Sequence, residues 1–203
     1  IGSSAFNEAG TFVGGLTIPD KIPVLYHGTF WSNYKRKFTG TLNLNNVQIL
    51  ESACFNNCGF TGELIIPEGV TEIGNQAFHY NGAGKISSVI LPSTIKVIGE
   101  TAFQGHSRLT DIIIPEGLVS IKMRAFEGCS NLKSIVFPST LQTIQSRAFN
   151  NCYGISSIIS RAKEPPTVQE GAFNGVAKDN FTVEVPANAV NRYATDPVWG
   201  QFR

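Results

Sequence analysis

The chain has no surplus of charge. Its 16 basic and 15 acidic residues leave a formal net charge of +1 over 203 residues. That balance removes the electrostatic basis for binding nucleic acid or an acidic membrane surface. It also has no run of 18 apolar residues, so nothing in it reads as a membrane-spanning helix. The opening IGSSAFNEAG has neither the basic start nor the apolar stretch of a signal peptide. Four cysteines are too few for a disulfide framework. There is no G-x-G-x-x-G and no phosphate-binding loop, and His27, His79 and His106 stand beside no Ser or Cys nucleophile signature. The three histidines therefore read as surface or loop residues. Catalytic residues, metal ligands and cofactors are not expected.

Phenylalanine, by contrast, is abundant, at 14 residues, and it is periodic. A small residue precedes Phe, with an aliphatic residue four positions before the small one, at Ile1/Ala5-Phe6, Leu25/Thr29-Phe30, Leu50/Cys54-Phe55, Ile73/Ala77-Phe78, Ile98/Ala102-Phe103, Ile121/Ala125-Phe126, Ile144/Ala148-Phe149 and Val168/Ala172-Phe173. The steps are 24, 25, 23, 25, 23, 23 and 24 residues. Eleven positions before Phe stand Pro19, Leu44, Pro67, Pro92, Pro115 and Pro138, and upstream of these lie aliphatic residues such as Leu109, Ile112 and Ile114. The unit reads L-x-x-I-x-I-P-x-x-L-x-x-I-x-x-x-A-F-x-x-C.

A unit of this length cannot bury its own apolar face, but stacked copies can. The β-branched segment before proline reads as a short strand, ended where proline withholds a donor. Equivalent strands in successive turns must run parallel. The Ala-Phe segment should form a helical turn or coil opposite, its small residue permitting close approach and its Phe filling the interior. By alternation, Thr17, Leu42, Ile65, Ile90, Ile113, Val136 and Ile159 point away from the core. From Ile65 to Ile159 five consecutive turns thus present Ile or Val outward, a ridge about 20 Å long, with polar neighbours that include Asp111 and Lys133. An apolar stripe with a polar rim suits a protein-binding face. It also suits strand propensity alone, or cover by a neighbouring domain.

Cys58, Cys129 and Cys152 sit three residues after the repeat Phe, a column shared with Asn33, Asn81 and His106, while Cys54 replaces the small residue. A Cys129–Cys152 disulfide or a metal held with His106 competes here with a packing role. Their 23-residue step is set by the repeat and matches no zinc-ligand spacing, which favours packing. Glu68 and Glu116 follow the strand-ending prolines and read as turn residues. WSNYKRKF interleaves Lys35, Arg36 and Lys37 with Trp31, Tyr34 and Phe38, a pattern able to bind glycans or single-stranded nucleic acid and equally that of a solvated loop. Asn180-Phe181-Thr182 is a glycosylation sequon.

An array needs caps at its ends. FTVEVP reads as a last strand and ANAVNRYATDP as a short helix stopped by Pro197, with Tyr193, Trp199 and Phe202 covering the last turn. Ile1 already stands inside a repeat, so the chain is expected to continue a longer one that carries the export signal. Two parts result: an array of about eight turns over residues 1–175 and a capping segment over 176–203.

The proline after the strand, IPEGVTEIGNQAF, LPSTIKVIGETAF and the IGxxAFxxC half resemble the BspA-like branch of the leucine-rich repeats. The closing VP with a following Tyr and the late Trp-x-x-Phe resemble that family too. The resemblance weakens over residues 31–48, where Leu44 takes the proline position. It implies an α/β repeat solenoid, a right-handed superhelix with a parallel sheet of short strands on its concave face and coil or short helical turns opposite. It also implies a non-enzymatic, cofactor-free module of an exported bacterial surface protein. Such a module binds a protein partner through the strand face (Ile65, Ile90, Ile113, Val136, Ile159, Asp111, Lys133). A glycan site at Trp31, Tyr34, Lys35, Arg36 and Lys37, or a purely structural spacer, are the alternatives.

Overall fold

A computed structural model describes residues 1–7, 12–32, 38–80, 85–178 and 181–202. Successive copies stack as a parallel-strand β-solenoid of about seven turns. The strands before proline form one side. Gly59–Ile65 pairs with Lys85–Ile90, which pairs with Asp111–Ile113, and Ser134–Phe137 pairs with Ser157–Ser160 and then Thr182–Glu184, all parallel. Inward residues such as Leu64, Val89, Ile112, Ile135 and Ile158 are buried.

The opposite side, expected as helical turns or coil, holds turns at the Ala-Phe segments and strands before them. It carries a second parallel sheet of seven two-residue strands, Val24–Leu25, Ile49–Leu50, Glu72–Ile73, Val97–Ile98, Ser120–Ile121, Thr143–Ile144 and Thr167–Val168. A short turn then leads into the Phe. Among the described residues the one α-helix is Val190–Thr195, in the capping segment. The turn is tight because the residue before the small one is left-handed in all eight copies. Ser4, Ala53, Gln76, Thr101, Arg124 and Arg147 have φ between 51° and 59°, and Gly28 and Gly171 have φ of 62° and 69°. Such a conformation costs a non-glycine residue about 1–2 kcal/mol. Thr101 is the worst placed, being β-branched and buried with a hydroxyl that has no partner. Thr101→Gly should therefore stabilise the fold by about 1 kcal/mol, read as a higher urea midpoint. A lower midpoint would mean that its packing outweighs the strain.

The small residue has its reason in the same turn. Each Phe N–H donates to the carbonyl of the small residue in the following turn, at 2.8–2.9 Å from Phe6→Thr29 through Phe149→Ala172. A bulkier side chain would hold those backbones apart. The eight rings, Phe6, Phe30, Phe55, Phe78, Phe103, Phe126, Phe149 and Phe173, stack face to face. Their centroids lie 4.9–5.5 Å apart and their planes within 16°. The stack ends on Phe202, whose ring stands edge-on to Phe173 at 5.5 Å.

The cap meets a weak spot in the last turn. Where earlier turns place Ile18, Leu44, Ile66, Leu91, Ile114 and Phe137, the last has Ser160, buried. The Ser160 hydroxyl lies 2.6 Å from the Tyr193 hydroxyl, which donates to the Ala162 carbonyl. Trp199 Nε1 donates to the Pro166 carbonyl at 2.9 Å. The helix stops at Asp196, extended before Pro197, and the Asp196 carboxylate accepts the N–H groups of Val198 and Trp199.

Turns are also clamped in pairs. Glu68 accepts the Ser93 N–H and hydroxyl at 3.0 Å, and Glu116 accepts those of Ser139. Thr94 and Thr140 complete each clamp with bonds to the preceding turn. Burial works against the Glu116 carboxylate, but the Ser139 bonds and the Arg161 charge 3.6 Å away hold it below its ordinary range. Both glutamates thus belong to turns, as their position after proline indicates.

Candidate functional site

The strand register sets the outward row. Ile65 pairs with Ile90 and Ile90 with Ile113, while Val136 pairs with Ile159 and Ile159 with Glu184. Ile65 and Ile113 are 54% and 64% exposed, and Ile90, Val136 and Ile159 are half-buried. Between Ile113 and Val136 the ladder is interrupted, with Lys133 N–H to the Thr110 carbonyl at 3.3 Å as a surviving link. Asp111 and Lys133 are exposed at the edge of the row, and Asp111 accepts the Thr110 hydroxyl.

One member of the expected row is misplaced. Leu42 pairs with Leu16, not Thr17, and is buried. The turn after Leu44 is one residue shorter than its siblings, so Leu44 occupies an inward strand position and Asn45, with φ of 44°, replaces proline. Asn43 faces outward there. Trp31 is 38% exposed on the coil side. Tyr34, Lys35, Arg36 and Lys37 lie outside the described residues, as do Asn33, Asn81 and Asn180.

The cysteine column resolves into hydrogen bonding. The thiols of Cys58, Cys129 and Cys152 each donate to the carbonyl of the repeat Phe in the preceding turn, Phe30, Phe103 and Phe126, at 3.0–3.3 Å. All four cysteines are free and buried. Burial pushes the Cys152 thiol up to about 12 and those of Cys54, Cys58 and Cys129 well above their ordinary value, which makes them poor nucleophiles. His106 fills the same rung with Nε2 2.7 Å from the Phe78 carbonyl. It is fully buried, a correction to its reading as a surface histidine. Among the described residues no three His, Cys, Asp or Glu side chains converge to hold a metal.

The residue directly after each Phe forms a column that periodicity of apolar residues does not reveal. It runs Asn7, Trp31, Asn56, His79, Gln104, Glu127, Asn150 and Asn174. From Gln104 to Asn150 its members bond one another. Gln104 donates to Glu127 Oε2 at 2.9 Å, Asn150 donates to Glu127 Oε1, and Arg124 Nε lies 3.5 Å from Oε2. In the N-terminal half Asn56 Oδ1 and His79 Nδ1 have no partner. Polarity recurring at this offset is the signal that would have found the column.

The BspA type leucine rich repeat region matches as six copies over residues 1–109 and 79–194. No curated protein matches the chain. Among solved structures it is similar to a leucine-rich repeat protein of Eubacterium ventriosum, at 23% identity and TM-score 0.63 over 87% of this chain and 45% of that one. A leucine-rich repeat protein of T. pallidum is 31% identical, with TM-score 0.51 over 57% of this chain and 56% of that one. A leucine-rich cell surface protein of Faecalibacterium prausnitzii is 22% identical, with TM-score 0.51 over 88% of this chain and 49% of that one. The chain thus spans about half the length of these relatives. Leucine-rich repeat proteins are generally protein-interaction modules, and the fold is typically non-catalytic. The repeat unit, the stacked rungs and the six matched copies together place this chain in the BspA type leucine-rich repeat family.

Proposed function

We propose that the chain is a non-catalytic protein-interaction and adhesion module of an exported bacterial surface protein. It docks its partner through the strand face, the concave side of a right-handed superhelix. In this reading residues 1–175 are the array and 176–203 its cap. The observation that carries it is the outward row Ile65, Ile90, Ile113, Val136 and Ile159, with Ile65 and Ile113 more than half exposed. Desolvating such a row contributes about 25 cal/mol per Å² of apolar area. Asp111 and Lys133 at its edge would fix orientation and steer approach. The cell-surface description of the Faecalibacterium protein supports the location.

The test is capture of host extracellular proteins by the chain and by an Ile90→Lys/Ile113→Lys variant. The lysines point outward, so stability should change by about 1 kcal/mol or less. Partner affinity should fall about 30-fold or more, as for a central apolar anchor. A partner retained undiminished by the variant would exclude this face.

A further inference from the structure

We propose a second, independent site on the coil side of the array that binds a neutral saccharide. The left-handed column sets the relief of that surface. Toward the C-terminus Arg124 and Arg147 fill it with long side chains, but Gly28 and Ala53 leave it bare. The result is a depression of about 460 Å³, within the range of small-molecule sites. Gly28 and Ala53 line it together with Trp31, Asn56, Gln76 and His79.

The chemistry of those walls is specific. Among the described residues no Asp, Glu, Lys or Arg lines the depression, and burial holds the His79 imidazole toward its neutral form. His27 is the other titratable group on these walls, so among the described residues a phosphate or an acidic sugar would meet no permanent counter-charge there. Trp31, 38% exposed, is the one aromatic residue in a column that is otherwise polar, and its indole offers a flat apolar plate for the C–H face of a sugar ring. The Asn56 side chain, in a residue only 6% exposed, donates to Gln76 Oε1 at 3.1 Å while its own Oδ1 has no partner. His79 Nδ1 is unpartnered as well. Amide and neutral imidazole groups both donate and accept, which matches hydroxyls that do the same. The strand face plays no part in this site, so failure of one reading leaves the other standing.

The chain's two tryptophans make the test direct. Trp199 is 2% exposed within the cap, so a ligand-dependent fluorescence change reports Trp31. The probes are neutral oligosaccharides ending in hexose or N-acetylhexosamine, with sialylated and phosphorylated sugars as controls. Saturable change with a neutral probe is expected. Ala53→Arg should fill the depression and weaken binding roughly tenfold or more. It should still fold, because Arg124 and Arg147 already occupy this position with φ of 54° and 57° against 56° for Ala53. Trp31→Ala, followed by calorimetry, should lose binding, and Ile90→Lys/Ile113→Lys should keep it. The proposal is overturned if no neutral probe titrates, if only charged sugars bind, or if folded Ala53→Arg binds as tightly as the parent.

Discussion

Phe103→Ala should destabilise the array by about 3–5 kcal/mol, the ordinary cost of emptying a buried phenylalanine site. Phe6→Ala should cost about 1 kcal/mol. Phe103 is fully buried, with Phe78 at 5.4 Å on one face and Phe126 at 5.5 Å on the other. Phe6 has one neighbour in the stack, Phe30, and is 36% exposed. In a stacked array stability is a sum of intrinsic and nearest-neighbour terms, so an interior deletion weakens two interfaces at once. Chemical denaturation measures both variants. Equal losses would show that the rings act as separate fillers and not as a coupled column. A broadened transition in Phe103→Ala would show the two halves beginning to unfold apart.

Acid should destabilise the fold through His106. Its Nε2 must carry the hydrogen, because the Phe78 carbonyl can only accept. Nδ1 is then bare, buried and without a partner, so a second proton would have nowhere to point. Burial, with His79 nearby adding repulsion, lowers the pKa to about 4, although the Phe78 bond opposes this. The folded state therefore holds a neutral ring while the unfolded chain takes up a proton below the ordinary 6.5. The stabilisation is complete above that value and is lost as pH falls toward 4, by about 3 kcal/mol in total. His106→Cys would place a thiol where Cys129 and Cys152 donate to their own Phe carbonyls. Losing the ring, which lies beside Tyr80, should cost about 1–2 kcal/mol at neutral pH. In return the slope between pH 6.5 and 5, above the carboxylate range, should flatten. An unchanged slope would transfer the acid sensitivity to other groups, His79 among them.

What the sequence reveals here is whatever repeats strongly enough to be counted. The Phe column, the small residue before it and the aliphatic strand positions follow from their spacing. The two-residue strands, such as Val97–Ile98, do not, because alternation needs more than one cycle to be seen. They exist only by pairing with the turns above and below. The left-handed turn was hidden because six different residues fill it, with Gly28 and Gly171 as its trace. Leu42 went astray because register was counted from Phe across a turn that is one residue short. The cysteine spacing was legible, but its partner was not: the acceptor is a backbone carbonyl 26 or 28 residues away. The strand-face row could be read from alternation, whereas the coil-side depression depends on which residues in two columns are missing bulk.

The paired clamps set a quantum of length. Each glutamate, Glu68 or Glu116, faces a serine one turn on, and the two glutamates lie 48 residues apart. Excising the Ser93 turn would set Glu68 against Glu116 and leave Glu68 without its serine, whereas excising the Glu116 turn would set Ser93 against Ser139 and leave Ser139 without its glutamate. Excising the Ser93 and Glu116 turns together would set Glu68 against Ser139 and keep the donor opposite an acceptor. An array of this kind is therefore free to grow or shrink along a lineage by doublets, as a zip closes only on matched teeth.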